Sequence, residues 1–256
     1  FFKPKEGKII IVGELTRSAL EAIQVAVKAP SNYTEIVVDS QGGDAESALE
    51  IAEIIHRLNL RLIVDGRCFS ACANFLFPAA KRKIVLQSSI VGIHEESVNF
   101  LNNGLLTYIT GNEIETGLMQ SGNVDTLEKF RVIQEKMRAF NLRFRLNDDL
   151  HKIFRAYVTR RKHVLEREKI DAFSGTATCP KILMWVLSRE QLESIGVKGI
   201  EGFWYPEKKH EKEALIPKFG SIGSSLYFGT PDRLNMYCNT GLKNWMNLQW
   251  QSLINK

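Results

Sequence analysis

Long apolar runs are what this 256-residue chain most plainly lacks. No stretch approaches the roughly 20 residues needed to cross a bilayer, which excludes a transmembrane helix from the sequence as it stands. Cysteine is scarce. Cys68, Cys72, Cys179 and Cys238 are the only four, too few for a disulfide-built scaffold, and their spacing fits no common zinc motif. Cys68 and Cys72 can bridge in an oxidising compartment if a turn brings them together; a buried thiol pair is the other reading. A dominant charge is also missing, with 34 Lys and Arg against 29 Asp and Glu, a net +5. The basic residues fall in short runs (81–83, 159–163, 207–213) that read as solvated faces, whereas a nucleic-acid surface needs a longer basic stripe interleaved with aromatics. There is no internal repeat, cofactor fingerprint or metal motif, so no cofactor, metal or nucleic-acid partner is expected. The chain opens on "FFKPKEGK" rather than on Met or a signal peptide. That start suggests that a leader or anchor has been cut away, and membrane attachment is expected only through such a removed segment.

What is present is an ordinary globular composition, 44% hydrophobic and 25% charged, in a chain long enough to bury a sizeable core. Short β-branched runs stand at 9–12, 35–38, 61–65 and 84–93. They alternate little, as expected of strands covered on both faces. Helical spacing lies between them, clearest in Ala45, Ala48, Leu49, Ile51, Ala52, Ile55 and Leu58. Strand and helix in this order predict a mostly parallel α/β sheet of right-handed crossover units, flanked by helices. The main domain is expected at 1–206, with a helical variable region at 97–170, followed by a C-terminal extension at 207–256.

Two junctions carry possible chemistry. In "VVDSQGGDAES" a strand ends, two glycines follow and a helix begins. Such a turn gives the backbone torsions closed to other residues, and its free N–H groups can receive a negative oxygen. The next strand ends in "RCFSACANF", placing Ser70 at a strand-to-helix turn. In parallel α/β sheets reactive groups gather at this edge. A serine there is either a helix cap or a nucleophile, and a nucleophile needs an adjacent base. Of the five histidines, His94 alone directly follows a predicted strand, at the end of "SSIVGIH".

The stretches "DSQGGDAESALEIAEII", "CFSACANFLFPAAKRKIVLQSSIVGIHE" and "WVLSREQLESIGV" together resemble the proteolytic subunit of Clp protease and its crotonase-like relatives. That family runs strand, Ser-Pro-Gly-Gly, helix, strand, nucleophilic serine and helix, then two short strands ending in histidine. The chain is more similar still to uncharacterised, often exported relatives carrying a Cys-x-Ser-Ala-Cys-Ala turn. The resemblance covers 8–96 well and 180–200 moderately. It implies a Clp/crotonase-like fold, Ser70 as nucleophile and His94 as general base. The backbone N–H groups of Gly43 and Ala71 would form the oxyanion hole. It further implies a peptide or protein substrate, a homo-oligomer, and a periplasmic or cell-envelope location, with the cytoplasm as alternative.

One departure stands out. The family's triad aspartate precedes the late strand, and the matching position here is Met184; no carboxylate lies between Asp171 and Glu190. His94 would then be oriented by Asp149, Asp148 or Asp171, by a backbone carbonyl, or by nothing. A serine–lysine dyad is a further option, although no lysine is marked out. The rivals to a serine peptidase are a catalytically impaired scaffold or binding protein and, less favoured, a crotonase-type acyl-CoA enzyme.

Overall fold

The computed structural model describes residues 2–5, 7–28, 32–95, 97–102, 105–110, 113–169, 176 and 178–239. The elements run β1 (Phe2–Lys5), β2 (Lys8–Leu15), α1 (Arg17–Lys28), β3 (Glu35–Gly43), α2 (Ala45–Arg57) and β4 (Arg61–Phe69). A π-helical segment, Cys72–Leu76, leads into the short α3 (Phe77–Ala79), then β5 (Arg82–Val85) and β6 (Ile90–Ile93). The hairpin β7 (Ser97–Asn102) and β8 (Leu105–Thr110) precedes α4 (Glu113–Gln120), α5 (Val124–Phe144) and α6 (Asp149–Glu168). Last come β9 (Met184–Val186), α7 (Arg189–Ser194), β10 (Ile200–Phe203), α8 (Lys209–Lys218), β11 (Leu226–Tyr227) and α9 (Pro231–Met236).

The architecture is mixed α/β, with a mostly parallel sheet flanked by helices. Its main path is β1-β2-β3-β4-β6-β9-β11, with β5 and β10 branching from β4. Strands β2, β3 and β4 follow one another in a single direction, so right-handed crossovers set α1 and α2 on the same face. That face is closed: Ile9, Ile11, Ile36, Val38, Leu62 and Val64 are wholly buried. The alternate residues of β3 and β4, such as Val37 and Ile63, remain half-exposed. Cover on both faces was the expectation; without a reversal of strand order, the crossover helices cover only one.

β4 divides the sheet. Its first half, Arg61–Val64, pairs with β5, and its second, Arg67–Phe69, pairs with β6. The change falls at Gly66 (φ +124), where an added Cβ would lie 2.6 Å from the Asp39 carboxyl carbon. Asp39 also accepts from the Arg67 backbone N–H at 2.9 Å and pairs with its guanidinium at 2.8 Å. These contacts pin the bend. The run at 84–93 is accordingly two strands, joined through a turn containing Ser88 at φ +59.

The region 97–170 is only partly helical, because residues 97–102 and 105–110 pair as an antiparallel hairpin. The Asn103-Gly104 dipeptide in the sequence is the hairpin signal. Downstream, Ser188 caps α7, and a reciprocal bond joins Ser188 N–H to Gln191 Oε1 at 2.8 Å. Within 207–256, β11 adds to the sheet beside β9, and Cys238 is bonded to Cys179. The Trp-bearing stretch at 241–256 lies outside the described residues.

Candidate active site

Three adjacent strand ends define the site. β3 ends at Gly43, β4 at Phe69 just before Ser70, and β6 at Ile93 just before His94. β4 and β6 are in parallel register, Phe69 opposite Gly92, and the Ser70 N–H donates to the Gly92 carbonyl at 3.1 Å. Ser70 and His94 therefore leave neighbouring strands at the same edge. Ala71 begins the helix beyond Ser70 and is buried.

Ser70 occupies a conformation that serine rarely adopts, at φ +54, which costs about 1–2 kcal/mol for an L-residue. A simple cap does not require it, since caps sit in extended backbone. The next residues form a π-helical segment, Cys72–Leu76, a departure from regular helix that recurs at functional sites. Ser70 is half-exposed, and its hydroxyl makes no hydrogen bond among the described residues.

Gly42 and Gly43 are fixed by close approach. At Gly42 (φ +98) an added Cβ would meet Ser70 Cβ at 2.6 Å and Ala71 N at 3.1 Å. At Gly43 (φ +140) it would meet the Leu15 carbonyl oxygen at 2.5 Å. The Gly42 N–H is taken by the buried Ser40 hydroxyl at 3.1 Å. The ladder to β2 runs from Asp44 N–H to Leu15 O at 2.8 Å. In a parallel pair this leaves the Gly43 N–H on the other edge of β3, the edge shared with β4.

His94 is half-buried, and its Nδ1 bonds the backbone carbonyl of Glu95. A carbonyl only accepts, so Nδ1 is the donor of this bond, and in the neutral ring Nε2 is then the acceptor. The expected aspartate position tells the opposite story. β6 and β9 are antiparallel, with Gly92 opposite Val186 and Ile93 opposite Trp185. One step further, this register sets His94 opposite Met184, which is buried and packs on Gly92.

Asp148 and Asp149 open α6 and both pair with Lys152, at 2.6 and 3.5 Å. Burial pushes the Asp148 carboxyl up, but the hydrogen bond and charge of Lys152 outweigh it and hold the group below its usual range. Asp171 lies outside the described residues. The buried Lys83 is no dyad partner: it pairs with Leu62 on β4, eight residues before Ser70 and about 26 Å away along the strand.

Sequence reasoning passed over His151. Its Nε2 bonds Asn74 Oδ1 at 3.0 Å, and Asn74 N–H donates to the Ser70 carbonyl at 2.8 Å. Burial, joined by the charge of Arg155, pushes the His151 ring down to about 4; Asp148 opposes the shift. The ring is neutral in ordinary buffers and shares a cavity of about 200 Å³ with Asn74, Ile93, Asp148 and Arg155. The available signal was its place in "NDDLHKIF", two residues beyond Asp149.

No family model and no curated protein matches the chain. Among solved structures it is similar to a ClpP1 mutant from Listeria monocytogenes at 13% identity and a TM-score of 0.39. That alignment covers 79% of this chain and 93% of the other. It is equally similar to a mutant of the 1510-N membrane-bound stomatin-specific protease, at 13% identity and a TM-score of 0.39, covering 82% and 81% of the two chains. At these values the likeness is one of general architecture.

Proposed function

We propose that the chain is a serine hydrolase of Clp-like type, most simply a peptidase, working through an acyl-enzyme on Ser70. The observation that carries this reading is the left-handed Ser70, its hydroxyl unpaired among the described residues, at the strand edge it shares with His94. The Ser70 Oγ would attack the peptide carbonyl carbon while His94 Nε2 takes the hydroxyl proton. The N–H groups of Gly43 and Ala71 would hold the resulting oxyanion, a contribution of about 10²–10³ in rate per donor. Collapse would pass the proton from His94 to the leaving amine, and water would then cleave the ester by the same route in reverse. The Glu95 carbonyl supplies the tautomer that an aspartate otherwise fixes, but it brings no negative charge to the imidazolium.

Fluorophosphonate labelling tests this reading. The wild-type chain should label at Ser70 and hydrolyse a peptide library, and Ser70→Ala should do neither. Labelling that survives Ser70→Ala ends the assignment.

A second reading, a non-catalytic peptide-binding module, is favoured by Met184 standing opposite His94. It predicts peptide binding with no labelling and no cleavage. We further propose an oxidising location, the periplasm or cell envelope, on the strength of the two disulfides, Cys68–Cys72 and Cys179–Cys238. Intact-mass measurement of unreduced protein from that compartment should find all four thiols paired.

A further inference from the structure

The residue two before Ser70 and the residue two after it are bonded to each other. Cys68 ends the buried face of β4, and Cys72 opens the π-helical segment; the bond joins them across a Cα separation of 5.1 Å. It closes a loop of five residues with Ser70 at its centre. Both cysteines have zero exposure, whereas Ser70 itself is half-exposed.

Besides the close approach of Gly42 to Ser70 Cβ, the noncovalent support of Ser70 itself is two backbone bonds. The Ser70 N–H donates one backbone bond to the Gly92 carbonyl, and the Ser70 carbonyl accepts one from the Asn74 N–H. Serine has no conformational preference for φ +54, and a π-helical start is not the default continuation of a strand-to-helix turn. A chain free to relax would return Ser70 to the right-handed region and draw its hydroxyl back toward the helix start as a cap. The bond restrains that relaxation, because it ties the strand end to the helix start.

We infer that the Cys68–Cys72 bond is a positioning element for the Ser70 nucleophile, so that acylation requires this pair to be oxidised. The inference rests on Ser70 being the nucleophile. Bond formation removes two electrons and two protons from the thiol pair. Oxidised glutathione accepts them in vitro and leaves as two molecules of reduced glutathione. Because neither sulfur reaches solvent, the bond forms during folding and is then shielded from thiol attack. It is a one-time requirement rather than a reversible switch.

The test compares three full-length chains: wild type, Cys68→Ala/Cys72→Ala, and Cys179→Ala/Cys238→Ala. For each, the maximal rate and half-saturation of fluorophosphonate acylation are measured beside far-UV circular dichroism and thermal midpoint. A displacement of about 1 Å at a reacting group costs on the order of 10²-fold. The first variant should therefore lose about 10²-fold in maximal rate with half-saturation unchanged. The second should acylate within about 2-fold of wild type yet lose more thermal stability, since its bond closes a far longer loop. Wild type refolded in reductant should acylate slowly, should stay slow when oxidised glutathione is added to the folded chain, and should recover only when it is unfolded and refolded in oxidised glutathione. If Cys68→Ala/Cys72→Ala does not fold, Cys68→Val/Cys72→Ala refills the core, and the refolding arm stands without any variant. Acylation within about 3-fold of wild type by the Cys68/Cys72 variant, with Ser70→Ala unreactive, overturns the inference and leaves the nucleophile assignment intact. No acylation of wild type refutes that assignment instead.

Discussion

Replacing Gly42 by alanine probes the site through a single methyl group. The new Cβ would lie 2.6 Å from Ser70 Cβ and 2.8 Å from the Phe69 carbonyl oxygen, where ordinary contact needs about 3.5 Å. Neither neighbour is the flexible end of a side chain. One carries the hydroxyl and the other is backbone, so relief requires moving the Ser70 turn by nearly 1 Å. The φ of +98 adds about 1–2 kcal/mol of conformational cost for alanine, and crowding in a packed region adds about 1–3 kcal/mol. A loss of about 3 kcal/mol in urea unfolding is expected, with acylation falling about 10²-fold. Gly122→Ala separates the two effects, since its φ is +67 and nothing lies within 4 Å of the new atom. It should cost about 1 kcal/mol and leave acylation unchanged. If Gly42→Ala acylates as fast as Gly122→Ala, the Ser70 turn does not lie where the reaction needs it, and the reasoning fails.

Two buried bases predict pH dependence. Burial pushes the Lys83 ammonium down to about 7, its Nζ bonding the Lys198 carbonyl at 2.6 Å. Between pH 7 and 10.5 the unfolded chain holds this proton and the folded chain does not, so stability rises with pH by up to about 5 kcal/mol. Lys83→Met lacks this dependence but orphans the Lys198 carbonyl, at about 1–3 kcal/mol. It should therefore melt higher than wild type at pH 6, with the advantage gone by pH 10. An equal difference at both pH values refutes the charge argument. For His151, pushed down to about 4, the unfolded chain binds the extra proton between pH 6.5 and 4. Wild type should lose about 3 kcal/mol as pH falls through that window. His151→Gln should lose measurably less, and parallel denaturation midpoints at pH 7 and pH 4 would rule this out.

Local order was legible in the chain because neighbouring residues encode it. Helical spacing after Asp44, the glycine pair after Gln41 and the small residues around Ser70 each specify a backbone path over fewer than ten positions. The strand-to-helix turns at Gly43 and Ser70 follow from such signals, and their common edge follows from the handedness of the crossovers. The hairpin at 97–110 was missed because its runs are apolar and short, where strand and helix are hard to tell apart by periodicity.

Sequence by itself determined the alternation of strand and helix, the parallel core of the sheet, and a serine and a histidine each following a strand. Tertiary structure alone decided what faces what. The bend of β4 at Gly66, the pairing of Cys179 with Cys238 over 59 residues, and the bond from His151 to Asn74 are all of this kind. Each depends on register and packing between segments distant in the chain. No local spacing encodes such a partnership, because the free energy that selects it arises only when the two surfaces meet.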